Sequence, residues 1–167
     1  LVDSELGKQH VIESYNVNPQ KIYTLPYVPP SYIYEGATVG EDIVNRYQLP
    51  KKYIFYPAQF WAHKNHTNLI KAIYLLRNEI EDLVLVLVGS KKGAYKSIIY
   101  LIESLGLKDR VHILGYVPNN HMFAIYRNAR ALIMPTFFGP TNIPPLEAFA
   151  AGCPAAVSNV YAMHEQV

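Results

Sequence analysis

Lys64 lies in the loop 57–66, between a short apolar run and a segment with helical spacing. Backbone amides at a helix start and a mobile ammonium group are both suited to binding a diphosphate. A solvated surface lysine is the alternative interpretation. His63 and His66 in the same loop raise the possibility of a metal site, but two histidines without a third ligand nearby make a poor one. A capping or surface role is the stronger interpretation of both histidines.

A second loop, 89–97, contains glycines, lysines and a serine in an order that superficially resembles a phosphate-binding P-loop. A Walker motif needs its last glycine, its lysine and its hydroxyl side by side, whereas Ala94 and Tyr95 separate them here. No dinucleotide-binding glycine fingerprint follows any apolar run, which argues against a nicotinamide dehydrogenase. The sequence also has no Asp-x-Asp pair, which would hold a divalent cation in a metal-dependent sugar transferase.

The framework that would position these loops is predicted from residue 53 onward. Short apolar runs rich in β-branched residues and tyrosine alternate with longer segments of helical spacing, which is typical of βαβ units. Continuously apolar runs indicate parallel strands that are covered on both faces. The predicted fold class is therefore α/β, a doubly wound parallel sheet of the Rossmann-like type. The predicted strands are 53–56, 83–88, 111–114, 131–134 and 154–157, and the predicted helices are 69–79, 95–105, 121–128 and 145–151.

Ligands of such sheets bind beyond the carboxyl ends of the strands, so the loops that follow the strands are the candidate site. The segment 1–34 is polar and rich in turn residues, and it predicts a short helix, a short strand and a connecting segment.

Composition restricts the function further. The chain has 167 residues, a hydrophobic fraction of 50% and a net charge of +2, which indicates a folded domain with a core. It has no basic block interleaved with aromatic residues, so no nucleic-acid partner is expected. A single cysteine, Cys153, fits a reducing compartment, and we expect a cytoplasmic location. The apolar stretches are far shorter than a membrane span, and the first residues lack a signal-peptide pattern.

The segment 135–154, PTFFGPTNIPPLEAFAAGCP, is the most informative part of the sequence. It resembles the donor-binding motif of the retaining GT-B-fold glycosyltransferases of the group 1 family, in which a loop and a glutamate-bearing helix follow a strand. Lys64 matches the diphosphate-binding lysine of that family. The turn formed by Gly115, Tyr116 and Val117 matches the turn whose backbone usually reads the base. The resemblance extends from about Ser4 to the end of the chain.

This resemblance implies a role for each residue of the motif. Glu147 corresponds to the second of the family's two spaced glutamates, which accepts hydrogen bonds from the ribose hydroxyls. The alternative is a first-turn helix glutamate that the helix dipole favours. Lys64 and Glu147 are the implied catalytic residues. The backbone amides of Thr141, Asn142 and Ile143 would meet the phosphates and the donor sugar. The implied donor-binding residues are Gln59, Lys64, Gly115, Tyr116, Val117, Thr141, Asn142, Ile143 and Glu147.

Two positions depart from the family pattern. Gly139 stands where the family usually has its first glutamate, which meets the donor sugar, and Gln59 stands where it usually has an arginine beside the diphosphate. Because Gln59 can donate a hydrogen bond but brings no charge, Lys64 would supply more of the neutralisation. Asn142 or Thr141 would then take over the sugar hydroxyls.

The resemblance implies a metal-independent hexosyltransferase that needs no cofactor. The intact enzyme would transfer a sugar from a nucleoside diphosphate sugar to a glycan or lipid-linked acceptor with retention, and the leaving diphosphate would be stabilised electrostatically. Whether the nucleotide is UDP or GDP stays open. The full-length protein could also associate peripherally with a membrane.

The resemblance also predicts a domain organisation. Residues 1–34 would form an interdomain crossover, and residues 35–167 would form a nucleotide-sugar-binding domain that stops early. The acceptor would bind through a missing N-terminal domain, so this chain is expected to bind the donor but to transfer sugar slowly or not at all.

Three other functions stay open from the sequence. A nucleotide-sugar epimerase shares the two-domain architecture and would release a free sugar isomer without an acceptor. A non-catalytic nucleotide-sugar-binding module would bind the donor and never transfer it, and Gly139 gives this interpretation some weight. A purely structural α/β domain would have no affinity for nucleotides.

Overall fold

A parallel β-sheet forms the centre of the fold. The computed structural model describes residues 1–35, 42–139 and 142–167. Within these ranges the strand order is β3-β2-β1-β4-β5, and every neighbouring pair is parallel. This arrangement confirms the doubly wound parallel sheet predicted from the sequence. The strands are β1 (Tyr53–Pro57), β2 (Val84–Val88), β3 (Val111–Gly115), β4 (Ala131–Met134) and β5 (Ala155–Val157).

Helices pack on both faces of this sheet because alternate residues of each strand point to opposite sides. Phe55 and Val86 belong to one buried cluster, with residues of α6 and α7, whereas Tyr56 and Leu87 belong to a second cluster, with residues of α4 and α5. The helices are α1 (Glu5–Tyr15), α2 (Ser31–Glu35), α3 (Ile43–Arg46), α4 (His66–Leu76), α5 (Tyr95–Ser104), α6 (Asn119–Asn128) and α7 (Ile143–Ala150), with 3₁₀ turns at Pro19–Lys21, Ala62–Lys64 and Tyr161–Glu165.

The sheet creates a crevice where its strand order reverses. Successive strands extend from β1 through β2 to β3 on one side, and the chain then returns to place β4 and β5 on the other. Ligands of open α/β sheets bind at such a point, beyond the carboxyl ends of the strands. Gly89, just after β2, allows the two neighbouring strand ends to approach closely: a Cβ atom there would lie 2.2 Å from the carbonyl oxygen of Ala58.

The predicted strand in the first 34 residues is wrong. Within the described residues of that segment, Val2 and Thr24 form only an isolated bridge. Pairing stops after Leu25, whose amide donates to the carbonyl of Val2, because Pro26 has no amide hydrogen to continue the ladder.

The helix predicted at 69–79 also has different limits, since α4 begins at His66 and ends at Leu76. Asn65 precedes it in a left-handed conformation, with φ of 57°, so the backbone turns into the helix earlier than the apolar spacing indicated.

The N-terminal segment packs against the other end of the chain. The carboxylate of Glu165 accepts hydrogen bonds from the amides of Glu5, at 2.8 Å, and Leu6, at 3.0 Å, at the start of α1. Ile33 of α2 is fully buried in the cluster that contains Phe55. Residues 1–34 therefore contact the α/β unit directly, while the proposed domain boundary stays a prediction. Among the described residues, no helix is long and apolar enough to cross a bilayer.

Candidate functional site

A cavity of about 330 Å³ opens at the carboxyl ends of β1 and β2, in the crevice where the strand order reverses. Several elements contribute to its wall: the loops after these strands, the turn between β3 and α6, the start of α7, and α2. Cavities at this place in open α/β sheets are the usual ligand sites. The lining residues that matter below are Tyr32, Gln59, Gly89, Val117, Ile143 and Glu147.

Glu147 is the buried acid of this cavity, with 4% of its surface exposed. One carboxylate oxygen accepts a hydrogen bond from the Tyr126 hydroxyl at 2.6 Å, and the other accepts from the Tyr32 hydroxyl. Glu147 is the fifth residue of α7, and the first turn of that helix has no acidic residue. The first-turn glutamate considered as the alternative is therefore wrong. Each carboxylate oxygen of Glu147 thus accepts one tyrosine hydroxyl.

The two tyrosines were not found by sequence reasoning. Tyr126 lies in α6 and is fully buried, with its ring edge-on to Phe55 at 4.9 Å, whereas Tyr32 belongs to α2 and borders the cavity. Burial, together with the neighbouring Glu147, raises the pKa of both hydroxyls well above the ordinary tyrosine value, so both remain donors at neutral pH. The spacing of Tyr126 from Met122 on the apolar face of α6 was the available signal, because a buried tyrosine needs a hydrogen-bond partner.

Lys64 lies at the same edge of the sheet but does not belong to the cavity wall, and hydrogen bonds to the backbone of its turn fix its position. The Tyr56 hydroxyl donates to the Lys64 carbonyl at 2.9 Å, and the Asn65 side chain donates to the carbonyl of Pro135 at 2.9 Å, so the turn is tied to the end of β4. The Lys64 ammonium donates to Oδ1 of Asn142 at 3.1 Å. Burial lowers the pKa of Lys64. Lys64 is thus a half-buried cation next to the start of α7, which fits neither a fully solvated lysine nor a core residue.

Asn142 immediately precedes α7, and its backbone is already engaged. Its amide donates to the side-chain oxygen of Gln166 at 2.8 Å, and its carbonyl accepts from the Gln166 side-chain nitrogen at 2.9 Å. The expectation that the Asn142 amide faces a phosphate is therefore not met here, because the primary amide of Gln166 pairs with both backbone polar groups of Asn142. Ile143 does border the cavity. Thr141, predicted to act with them, lies outside the described residues.

Gly139, which stands in place of the family's usual first glutamate, has a backbone that suits glycine. Its φ is +140°, and a Cβ atom there would lie 3.0 Å from the side-chain nitrogen of Asn142. The Asn142 side chain therefore occupies the space that a side chain at position 139 would need. This arrangement is compatible with the prediction that Asn142 takes over contacts to the donor sugar, which stays untested.

The predicted base-reading turn reaches the cavity through one of its three residues. Gly115 ends β3 with φ of 74°, and its carbonyl accepts from the Gly89 amide at 2.9 Å. Tyr116 is 77% exposed and does not line the cavity. Val117 is buried and lines the cavity. The turn can therefore contact a ligand through Val117, while the structure gives Tyr116 no place in the cavity wall.

Gln59 lines the cavity from the loop after β1. Its side-chain oxygen accepts a hydrogen bond from the indole nitrogen of Trp61 at 3.0 Å. The side-chain nitrogen is consequently the atom of Gln59 that is suited to donate to a phosphate, and this contact stays a prediction.

The two histidines of the loop have different environments. His66 is 1% exposed, lies face to face with Phe60 at 4.7 Å, and lies 4.9 Å from Tyr56. Burial lowers the pKa of His66 to about 4. A surface role for His66 is therefore wrong. The ring of His63 lies edge-on to the ring of Phe138, with 6.2 Å between the ring centroids. In the ranges that the structure describes, no group of three or more histidine, cysteine, aspartate or glutamate side chains could hold a metal ion.

The sequence has curated relatives whose names describe an activity. It is 26% identical over 170 residues to the O-antigen chain mannosyltransferase B of Escherichia coli, a match that covers 100% of this chain and 45% of the relative. It is 28% identical over 165 residues to the O-antigen chain mannosyltransferase RfbU of Salmonella typhimurium, with 99% and 43% covered. The chain thus spans less than half the length of these two relatives.

Solved structures of other proteins share this fold. A glycosyltransferase from Rickettsia africae superposes with a TM-score of 0.85 at 20% identity, covering 97% of this chain and 44% of the other. HepE of Anabaena, solved in complex with UDP, superposes with a TM-score of 0.83 at 17% identity, covering 99% and 46%. A family model, Glycosyl transferases group 1, matches residues 41–167, the part of the chain that contains the whole sheet. The chain therefore belongs to the glycosyl transferases group 1 family.

Proposed function

We propose that the cavity at the carboxyl edge of the sheet binds the nucleoside diphosphate of a sugar donor. The observation that supports this most directly is the buried Glu147, a hydroxyl-binding carboxylate in the cavity wall, with the half-buried cation Lys64 nearby on the same edge. A buried carboxylate suits ribose hydroxyls, because it can accept from two adjacent hydroxyls, and an ammonium suits phosphate oxygens.

We assign each part of the donor to a different group of residues. Glu147 accepts from the ribose, and the turn that ends in Val117 contacts the base. The diphosphate lies toward Lys64, the Gln59 side-chain nitrogen and the start of α7, where the positive end of the helix dipole favours an anion. Asn142, whose side chain lies beside Lys64 and Gly139, is the proposed contact to the sugar hydroxyls. Pro144 and Pro145 offer no amides, but they fix the backbone where α7 begins.

In the intact enzyme these groups stabilise the leaving group. The bond between the anomeric carbon and the diphosphate oxygen breaks, negative charge grows on the diphosphate, and Lys64 lies where it can neutralise that charge. The sugar is transferred with retention and without a metal ion. The present chain supplies donor binding, and it transfers sugar slowly or not at all unless a second domain supplies the acceptor.

The relatives suggest which molecules to test first. Both relatives are named as mannosyltransferases, which supports a hexosyl donor, and UDP is bound in the HepE structure. The acceptor is a glycan or a lipid-linked sugar, in keeping with the O-antigen chain that the relatives' names mention. We place the protein in the cytoplasm, with the intact form associated peripherally with a membrane. The family match gives no support to an epimerase or to a purely structural domain.

Calorimetric titration of the chain with UDP, GDP, UDP-glucose and GDP-mannose tests this proposal. We expect one nucleoside diphosphate and its sugar to bind, and UMP or GMP to bind much more weakly because they lack the second phosphate that Lys64 would contact. Absence of binding by all four donor-side ligands would contradict the proposal.

A further inference from the structure

We propose that Tyr32 gates Glu147 in the cavity that binds the sugar donor. The Tyr32 hydroxyl donates a hydrogen bond to the Glu147 oxygen that a ribose hydroxyl must reach, so a ribose hydroxyl replaces the Tyr32 hydroxyl when the nucleotide binds. The inference rests on the proposed function, and it adds a specificity-determining residue from outside the family motif.

The two tyrosines that bind Glu147 are not equivalent. Tyr126 donates to Oε2 from a fully buried position in α6, and it does not belong to the cavity wall. Tyr32 donates to Oε1, and it does belong to the wall. The bond from Tyr126 therefore fixes the carboxylate from behind, whereas the bond from Tyr32 lies on the side from which a ligand would arrive.

A ligand hydroxyl that binds Oε1 of Glu147 must replace the Tyr32 hydroxyl. Glu147 borders the cavity with only 4% of its surface exposed, and its Oε1 atom accepts the hydrogen bond from Tyr32, which borders the same cavity. Tyr32 lies in the short helix α2, next to Ile33, which is fully buried and anchors the helix in the core. Turning the Tyr32 side chain toward solvent leaves that anchor undisturbed.

The exchange also sets how Tyr32 affects different ligands. A ribose hydroxyl that replaces the Tyr32 hydroxyl leaves the number of hydrogen bonds at Glu147 unchanged, so the ligand gains no net hydrogen bond there. A ligand without ribose hydroxyls leaves the bond between Tyr32 and Glu147 in place, because breaking it would leave a buried carboxylate oxygen unsatisfied. The Tyr32 hydroxyl therefore weakens the binding of ribonucleotides and has little effect on ligands that lack the ribose hydroxyls.

The test is a comparison of ribonucleotides with their 2′,3′-dideoxy forms. UDP, GDP and the two dideoxy nucleotides are titrated into the parent chain and into Tyr32→Phe, which keeps the ring and removes the hydroxyl. We expect Tyr32→Phe to bind the ribonucleotide about five- to tenfold more tightly, since it no longer competes for Glu147. Binding of the dideoxy form should change less than about twofold, because it does not displace that bond.

Further variants separate the hydroxyl from the rest of the side chain. Tyr34→Phe is the matched control, because Tyr34 lies in the same helix and is 57% exposed. It should behave as the parent chain does. Tyr126→Phe should weaken ribonucleotide binding about tenfold, because the carboxylate loses its fixed support. If Tyr32→Phe folds poorly, Tyr32→Leu replaces it and should raise the ratio of ribonucleotide to dideoxynucleotide affinity in the same direction.

The outcomes distinguish this inference from the proposed function. An unchanged or lower ratio of ribonucleotide to dideoxynucleotide affinity in Tyr32→Phe, with the parent chain binding a ribonucleotide, would overturn the gate and leave the donor site standing. Failure of the parent chain and of Tyr32→Phe to bind either ribonucleotide would overturn both.

Discussion

The Lys64 ammonium lies 3.1 Å from the side-chain oxygen of Asn142, which joins the loop after β1 to the start of α7. The two residues are 78 positions apart in the sequence. They meet because β1 and β4 are neighbours in the sheet and their carboxyl ends lie at the same edge. This contact positions a cation at the N-terminal end of a helix, the arrangement that we propose binds the donor diphosphate.

Replacing Lys64 with alanine should weaken binding of the nucleoside diphosphate by about ten- to a hundredfold, since a charge-assisted hydrogen bond to a phosphate is lost. Calorimetric titration measures this change. Lys71→Ala is the matched control, because Lys71 is an exposed lysine of the neighbouring helix α4. If Lys64→Ala binds the nucleoside diphosphate with an affinity within twofold of the parent value, Lys64 does not contact the diphosphate.

Replacing Glu147 with glutamine should affect both stability and binding. The amide keeps one acceptor oxygen but turns an NH₂ group toward one of the two tyrosine hydroxyls, which then loses its acceptor. We expect the free energy of unfolding to fall by about 1–3 kcal/mol. Ribonucleotide affinity should fall about tenfold or more.

Urea denaturation and calorimetric titration measure these two effects of Glu147→Gln. Glu79→Gln, at an exposed position just beyond α4, is the control and should change neither quantity. Full stability together with parent-like affinity in Glu147→Gln would show that the buried carboxylate has no special role.

Restoring the family's usual glutamate at position 139 should be harmful in this chain. Gly139 has φ of +140°, and a Cβ atom would press on the Asn142 side chain at 3.0 Å. We expect Gly139→Glu to cost about 1–3 kcal/mol of stability and to disturb the contact between Asn142 and Lys64. Thermal unfolding measures the loss.

Gly93→Glu provides the control for that substitution, because a Cβ atom at Gly93 meets nothing within 4 Å. It should leave the melting temperature nearly unchanged. A Gly139→Glu variant as stable as Gly93→Glu and with tighter donor binding would show that Asn142 does not occupy the position of the missing glutamate.

The buried His66 predicts a pH dependence of stability. Burial lowers its pKa from 6.5 to about 4 in the folded chain, so protons bind the unfolded state more readily. Stability should be full above pH 6.5 and should fall as the pH decreases toward 4. Between pH 7 and pH 5 the loss attributable to His66 is about 2 kcal/mol.

Urea denaturation at the two pH values measures this loss. His66→Phe retains the stacking on Phe60 and should remove most of the pH dependence. His10→Phe, at an exposed histidine of α1, should retain the slope of the parent chain. An equal slope in His66→Phe and the parent would contradict the buried neutral imidazole.

The sheet was predictable from the sequence because its strands are short, continuously apolar and separated by helical patterns. The predicted strands at 53–56 and 131–134 correspond to Tyr53–Pro57 and Ala131–Met134. The start of α4 was missed because a left-handed Asn65 has no signature in hydrophobic spacing. In place of the short strand predicted within residues 1–34 there is only an isolated bridge between Val2 and Thr24, because local composition does not show how far pairing extends.

The site was predictable where a motif fixed a role and unpredictable where distant residues meet. Glu147 and Gln59, two of the residues that the resemblance implied, line the cavity, and their roles in donor binding stay predictions. Tyr32 and Gln166 contact the motif across 115 and 24 positions, so no spacing in the sequence pointed to them. The engagement of the Asn142 amide by Gln166 is a consequence of tertiary packing near the end of the chain.

The most direct test of the donor site is hydrogen exchange of the chain with and without saturating UDP or GDP, followed by mass spectrometry. We predict that one nucleotide slows exchange in the loop 57–65, in the turn 115–119 and at the start of α7, and leaves the amino ends of the strands unchanged. Slower exchange confined to other surfaces, or no change with either nucleotide, would contradict a nucleotide site at the carboxyl edge of the sheet.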